Sequence, residues 1–217
     1  MLVSVHIPKT GGISFQEFLK LHFKERLFLD YVDKPMSKDS DTRNREAMEN
    51  QANSKDCIYD CVHGHFLPVK YDVAEKNNVF AVWFRDPVER VISRFYHGKR
   101  NVSTDHLVTE SMSLEEFCEI ERLNNLYEKY LWNFSINKFD FIGITEDYDN
   151  SLQLFRKQLG INALGRFHAN ANPNKMKDTY EITTDLRKTI LNANRQDYEI
   201  YREALDINNK LKKKFLI

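Results

Sequence analysis

Residues 1–15 read Met1-Leu2-Val3-Ser4-Val5-His6-Ile7-Pro8-Lys9-Thr10-Gly11-Gly12-Ile13-Ser14-Phe15. Residues 2–7 are short, mostly apolar and bounded by Pro8, the pattern of a strand. Over residues 13–23, Phe15, Phe18, Leu19 and His22 fall on one helical face. The turn between them is Lys9-Thr10-Gly11-Gly12. Small residues let a backbone approach a ligand closely. The free N–H groups of a helix start, with its dipole, favour an anion there. Lys9 adds a mobile positive charge, and Thr10 and Ser14 add hydroxyl donors. In physical terms this is a phosphate or sulfate cradle, whose plainer alternative is a tight turn with a solvated lysine. A Walker A loop places its lysine after the glycines. Here Lys9 precedes Gly11 and Gly12, which disfavours a nucleotide triphosphatase but not a related anion-binding fold.

Strand-like and helical patterns alternate along the rest of the chain. Residues 27–32 and 58–62 read as strands, and Val-Phe-Ala-Val-Trp-Phe at 79–84 as a strand covered on both faces. Asp86 suits an N-cap and Pro87 the first helical position, with Val88, Val91, Ile92 and Phe95 at i, i+3, i+4 and i+7. Ser113-Leu114-Glu115-Glu116 reads as a capping box. A strand at 139–144 and a helix at 150–159 stopped by Gly160 follow. Residues 161–182 read as an irregular polar loop, and two helices at 184–194 and 196–205 precede a fraying tail containing Lys210, Lys212, Lys213 and Lys214. The almost wholly polar stretch 33–56 reads as an exposed, mobile insertion. This alternation predicts an α/β architecture of three layers, with a central parallel sheet flanked by helices, in one domain spanning 1–217.

Composition narrows the function classes. The 217 residues are 41% hydrophobic and 12% aromatic with only 7 glycines and 5 prolines, enough for a core and unlike a linker or collagen. Lys+Arg and Asp+Glu are both 32, which argues against a dedicated nucleic-acid coat. No apolar run approaches the roughly 18 residues of a membrane span. The opening has neither a basic n-region nor a long apolar h-region, so neither signal peptide nor membrane partner is expected. Three cysteines, an odd number, fit a reducing compartment, and the expected location is cytoplasmic, as in a bacterial cytosolic enzyme.

A second motif is Phe84-Arg85-Asp86-Pro87-Val88-Glu89-Arg90-Val91-Ile92-Ser93-Arg94-Phe95-Tyr96. Arg85 falls at the carboxyl end of a buried strand, where open parallel sheets bind ligands, and a guanidinium there can hold a phosphate bidentately. Ser93 lies about two turns into the helix that follows. The plainer alternative pairs Arg85 with an internal carboxylate such as Asp86 or Glu89. Taken together, HIPKTGGISF and FRDPVERVISRFYH resemble the sulfotransferases that use 3′-phosphoadenosine 5′-phosphosulfate (PAPS). The closest likeness is to the carbohydrate branch that includes heparan sulfate 2-O-sulfotransferase and the uronosyl sulfotransferases. The resemblance implies a nucleotide-kinase-like (P-loop-like) fold. It also implies that Lys9, Thr10, Gly11, Gly12, Ile13 and Ser14 bind the 5′-phosphosulfate, and Arg85 and Ser93 the 3′-phosphate. Residues 141–148, Phe-Ile-Gly-Ile-Thr-Glu-Asp-Tyr, resemble the family's later strand and its acidic end. Residues 170–201 look like its C-terminal loop and helix. The likeness is weakest over 33–56 and 100–135.

The third motif is Val62-His63-Gly64-His65-Phe66. The resemblance implies a histidine that takes the proton of the acceptor hydroxyl, here His65 with His63 second. Imidazole titrates near working pH, which suits that task. Glu17 is a more distant alternative. Zinc competes for this segment through Cys57, Cys61, His63 and His65. In an extended strand, however, Cys57 and His65 would lie about 26 Å apart at about 3.3 Å per residue. Asn172, Lys175 and Lys177 are candidates to close over the nucleotide. Trp83, Phe95, Tyr96, Tyr127, Tyr130, Trp132 and Phe134 fit packing better than an adenine or sugar platform.

The function these readings imply is transfer of a sulfuryl group from PAPS to a hydroxyl of a glycan or other alcohol, leaving 3′,5′-adenosine bisphosphate (PAP). His65 would serve as base and Lys9 would hold the leaving phosphate's charge, a scheme that requires no metal. The alternatives are a nucleotide-binding module without catalysis and a small-molecule kinase of related fold.

Overall fold

A computed structural model describes residues 1–53, 58–73, 77–103, 105, 107–161, 180 and 182–217. Its elements in chain order are β1 (Leu2–Val5), α1 (Gly12–Phe23), β2 (Leu27–Asp30), α2 (Ser40–Asn53), β3 (Cys61–Gly64), β4 (Val79–Phe84) and α3 (Pro87–Arg100). Then come α4 (Leu114–Cys118), α5 (Leu126–Tyr130), β5 (Phe141–Ile144), α6 (Tyr148–Leu159), α7 (Thr184–Ala193) and α8 (Arg195–Phe215). The five strands form one parallel sheet in the order β2-β3-β1-β4-β5. Val5 lies opposite Gly64 on one side and Val82 on the other, and Phe84 lies opposite Ile144. All carboxyl ends therefore meet along one rim.

Side chains alternate across a strand, so each strand feeds two cores. Val3, Val5, Val62, Phe80, Val82, Phe84, Ile142 and Ile144 pack on one face against Tyr127, Tyr130, Tyr201 and Ala204 of α5 and α8. Leu2, Cys61, Ala81, Trp83 and Phe141 pack on the other against Phe15, Phe18 and Leu19 of α1 and Leu152, Leu154 and Phe155 of α6. The result is the expected three-layer, P-loop-like α/β fold. A third apolar cluster joins Val88, Val91, Ile92 and Phe95 of α3 to Phe117, Leu186 and Ile190.

Local signals at several boundaries match. Asp86 Oδ1 accepts from Glu89 N at 3.1 Å with Pro87 first in α3. Ser113 and Glu116 form a capping box, at 3.1 and 2.7 Å. Gly160 ends α6 at φ 64°.

Other expectations need correction. The polar stretch after β2 is not a structureless insertion: it holds α2, whose Ala47 is buried and whose Gln51 Nε2 donates to Val69 O and Asp72 O at 2.8 Å each. The tail is helical through Phe215, because Asn208 Nδ2 donates to Ile142 O at 2.7 Å and Phe215 packs against the second core. The third strand starts at Cys61, in register with Leu2 and Leu27, leaving Ile58 exposed before it.

Candidate active site

The rim is built first by the turn after β1. Gly11 adopts φ 87°, a left-handed conformation that a side chain resists, and caps α1 without any side-chain hydrogen bond. The first turn of α1 holds no acidic residue, so nothing in it neutralises the positive end of the helix dipole. Thr10 is fully buried, and its hydroxyl donates to Ile7 O at 2.9 Å. That hydroxyl folds the turn. Ser14 is buried just inside the helix, and Ile13 is partly exposed. Lys9 is also held at positive φ, 71°. Burial, and then the guanidinium groups of Arg100, Arg85 and Arg94, pull its ammonium down to about 8. These are like charges gathered around one lysine.

The end of β4 meets this turn directly. Arg85 Nη1 lies 3.4 Å from Lys9 O. Thr145, just past β5, fastens the same junction from beneath, with Oγ1 2.7 Å from Thr10 O and 2.9 Å from Phe84 O. The two sequence motifs, far apart in the chain, thus form one surface.

The guanidinium of Arg85 is also steered by carboxylates, as the plainer reading anticipates. Glu89 Oε2 lies 3.3 Å from Nη2 and Glu146 Oε1 3.9 Å from Nε, whereas Asp86 is occupied as the helix cap. Glu146 in turn accepts from Asp86 N and Tyr201 Oη, both at 3.0 Å, and burial raises its carboxyl above the ordinary range. Ser93, buried, follows Glu89 by one turn of α3 on the same stripe.

The third wall is a histidine stack. On β3, Cys61 and His63 alternate with Val62, and His65 follows just past the strand. His65 Nδ1 lies 2.5 Å from the main-chain carbonyl of His6, a geometry in which Nδ1–H donates and Nε2 keeps its lone pair. Burial lowers its pKa, against the opposing pull of that carbonyl. The ring of His6 packs against His65 at 4.4 Å and His63 at 5.1 Å between centroids. Its own pKa falls well below the usual value through burial, with His63, His65 and Lys9 adding repulsion. Tyr31 Oη lies 2.8 Å from His6 Nδ1 and 2.7 Å from Gln16 Oε1, and its ring stands edge-on to His65 at 4.8 Å. Gly12 makes room for this stack, since a Cβ there would overlap the His6 imidazole.

His63 lies deeper than His65. It is 1% exposed, its Nδ1 lies 2.8 Å from Ser4 Oγ, and burial drives its pKa to about 3. It is a packed core imidazole. Glu17 is half-buried and paired with Lys20. Cys57 lies outside the described residues, as do Asn172, Lys175 and Lys177. Cys61 is fully buried with its thiol pushed up by burial. Among the described residues, no group of three or more His, Cys, Asp or Glu is placed to hold a metal ion. No helix among them is long and apolar enough to cross a membrane.

The sequence matches the profile of the sulfotransferase family over residues 1–202. The chain belongs to that family. It is a transferase of sulfuryl groups, and the matched span includes the loop at 9–14, the histidine stack and the arginine after β4. Comparison of this sulfotransferase with curated proteins gives no match.

Reading the sequence of the sulfotransferase places His6 in the first motif without a role, takes Tyr127 for packing, and does not single out Tyr31. His6 has a signal in hindsight: it continues the Leu2, Ser4 face of β1, the face that carries α1. Tyr31 and Tyr127 have none, because their partners lie 25 and 42 residues away.

Proposed function

We propose that the chain is a PAPS-dependent O-sulfotransferase acting on a hydroxyl of a glycan or other alcohol. Support for this reading rests on one feature above all. Lys9 sits among Arg85, Arg94 and Arg100 with its ammonium pulled down to about 8, beside a helix start whose first turn has no acidic residue. Arg94 and Arg85 already hold Asp105 and Glu89 as counter-charges, and a buried lysine pulled down beside them suits an anionic ligand.

The donor supplies the sulfuryl group and leaves as a phosphate. The residues of this chain do the rest. Lys9 and the main-chain N–H groups at the start of α1 hold charge on the leaving oxygen, as fixed donors do in other group transfers. Arg85 and Ser93 grip the 3′-phosphate, with Glu89 and Glu146 setting the direction of the guanidinium. His65 accepts the acceptor's proton at Nε2 as the new O–S bond forms and the bridging S–O bond breaks. The resulting imidazolium is held through Nδ1–H on His6 O.

Calorimetry with PAP and with ATP plus magnesium tests the donor, and labelled PAPS with a panel of glycans tests the transfer. Tight PAP binding and weak ATP binding are expected. The reverse order would replace this reading with the kinase, and PAP binding without transfer to any acceptor would favour the binding module.

A further inference from the structure

The exit of β4 is gripped from outside the sheet by one phenol. Arg85 N donates to Tyr127 Oη at 3.1 Å, and Tyr127 Oη donates to Arg85 O at 2.6 Å. Both main-chain groups of a single residue thus close on one hydroxyl, fixing the backbone on either side of its Cα. The ring of Tyr127 is fully buried, edge-on to Phe84 at 4.9 Å, with the Arg90 guanidinium 5.5 Å from its centre.

The five-residue helix α5 that carries Tyr127 is too short to be stable alone. Asp197 of α8 holds its start, accepting from Leu126 N at 2.8 Å, Tyr127 N at 2.7 Å and Glu128 N at 3.3 Å. Arg90 Nη2 lies 3.5 Å from the same carboxylate. Among the described hydrogen bonds, this buried chain from Asp197 through Tyr127 meets the site at Arg85.

We propose that Tyr127 is a positioning residue for Arg85, and through it a determinant of 3′-phosphate recognition. The proposal rests on Arg85 being the 3′-phosphate ligand. A guanidinium grips phosphate bidentately only from a fixed origin and direction. Glu89 and Glu146 set the direction, and Tyr127 fixes the origin by tying the backbone of Arg85.

The test is calorimetric titration of PAP and of adenosine 5′-phosphate, which has no 3′-phosphate, into wild type, Tyr127→Phe, Arg85→Ala and the double variant. Tyr127→Phe keeps the packed ring and removes only the hydroxyl. It is expected to weaken PAP by about tenfold while leaving adenosine 5′-phosphate unchanged. Arg85→Ala is expected to bring PAP down to the level of adenosine 5′-phosphate, and the double variant to bind no more weakly than Arg85→Ala alone. Equal losses for the two ligands in Tyr127→Phe, a strictly additive double variant, or unchanged PAP binding in Tyr127→Phe while Arg85→Ala loses it would each overturn the proposal. Unchanged PAP binding in Arg85→Ala would instead remove the reading of Arg85 on which it rests.

Discussion

If Lys9 holds the donor's anion as proposed, anion binding is expected to be tied to proton uptake. Its ammonium, normally at 10.5, titrates at about 8 in the free protein, through burial and then the nearby arginines. The protonated form is therefore strained in the empty site. It disfavours the unliganded fold below about pH 8, and that penalty disappears as the pH rises towards 10.5. A bound dianion reverses the preference, because it attracts the protonated form. Affinity for PAP is thus expected to be highest below pH 8 and to fall above it. With a free value of about 8, the affinity at pH 9 is about tenfold lower than at pH 7. At pH 8 binding takes up about half a proton. Phosphomonoesters are already dianionic there, with a second pKa of about 6, so they mask little of this. Isothermal calorimetry in two buffers of different ionisation enthalpy reads both quantities at once. Lys9→Arg, which stays charged throughout, should abolish the proton uptake and flatten the profile. A wild-type profile flat from pH 7 to 9 with no proton uptake at pH 8 would refute the placement of Lys9 on the anion.

Gly12→Ala should cost about 1–3 kcal/mol of stability by overpacking the His6 imidazole, read by thermal unfolding, and should weaken PAP; an unchanged melting temperature would mean the stack yields freely. His65→Ala should abolish transfer from labelled PAPS while sparing PAP binding, and loss of a stoichiometric metal on that substitution would return the segment to zinc. Asp197→Ala leaves three main-chain N–H groups and Arg90 without their carboxylate and should cost about 3–5 kcal/mol. Urea unfolding checks this, and a loss below about 1 kcal/mol would place the carboxylate outside the folding core.

The parts of the fold that sequence made legible are those fixed by neighbours in the chain. Asp86-Pro87, the Ser113–Glu116 box and the Gly160 stop each depend on residues within one turn. The apolar run of β4 needs no partner to be recognised, because burial on both faces writes itself as an unbroken hydrophobic stretch. α2 was illegible for the opposite reason. It contributes Ala47 to the core and is otherwise held by polar contacts such as those of Gln51 and the ion pair of Lys38 with Glu46, which leave no apolar period. The extension of α8 is anchored by Asn208 and by Lys212 with Asp147, polar groups whose partners lie 57 to 66 residues away. In the site, the loop at 9–14 and Arg85 carried motifs. The supporting network of Tyr31, Tyr127 and Asp197 consists of distant pairings with no local signature.

The parallel sheet also sets the order in which a growing polypeptide acquires its parts. The turn after β1 leaves the ribosome 76 residues before the arginine that touches it. That arginine's tyrosine brace must wait a further 70 residues beyond itself for the aspartate that holds it. Such distant closures make assembly slow. The backbone of the arginine is therefore tied in place only once the last helix has docked.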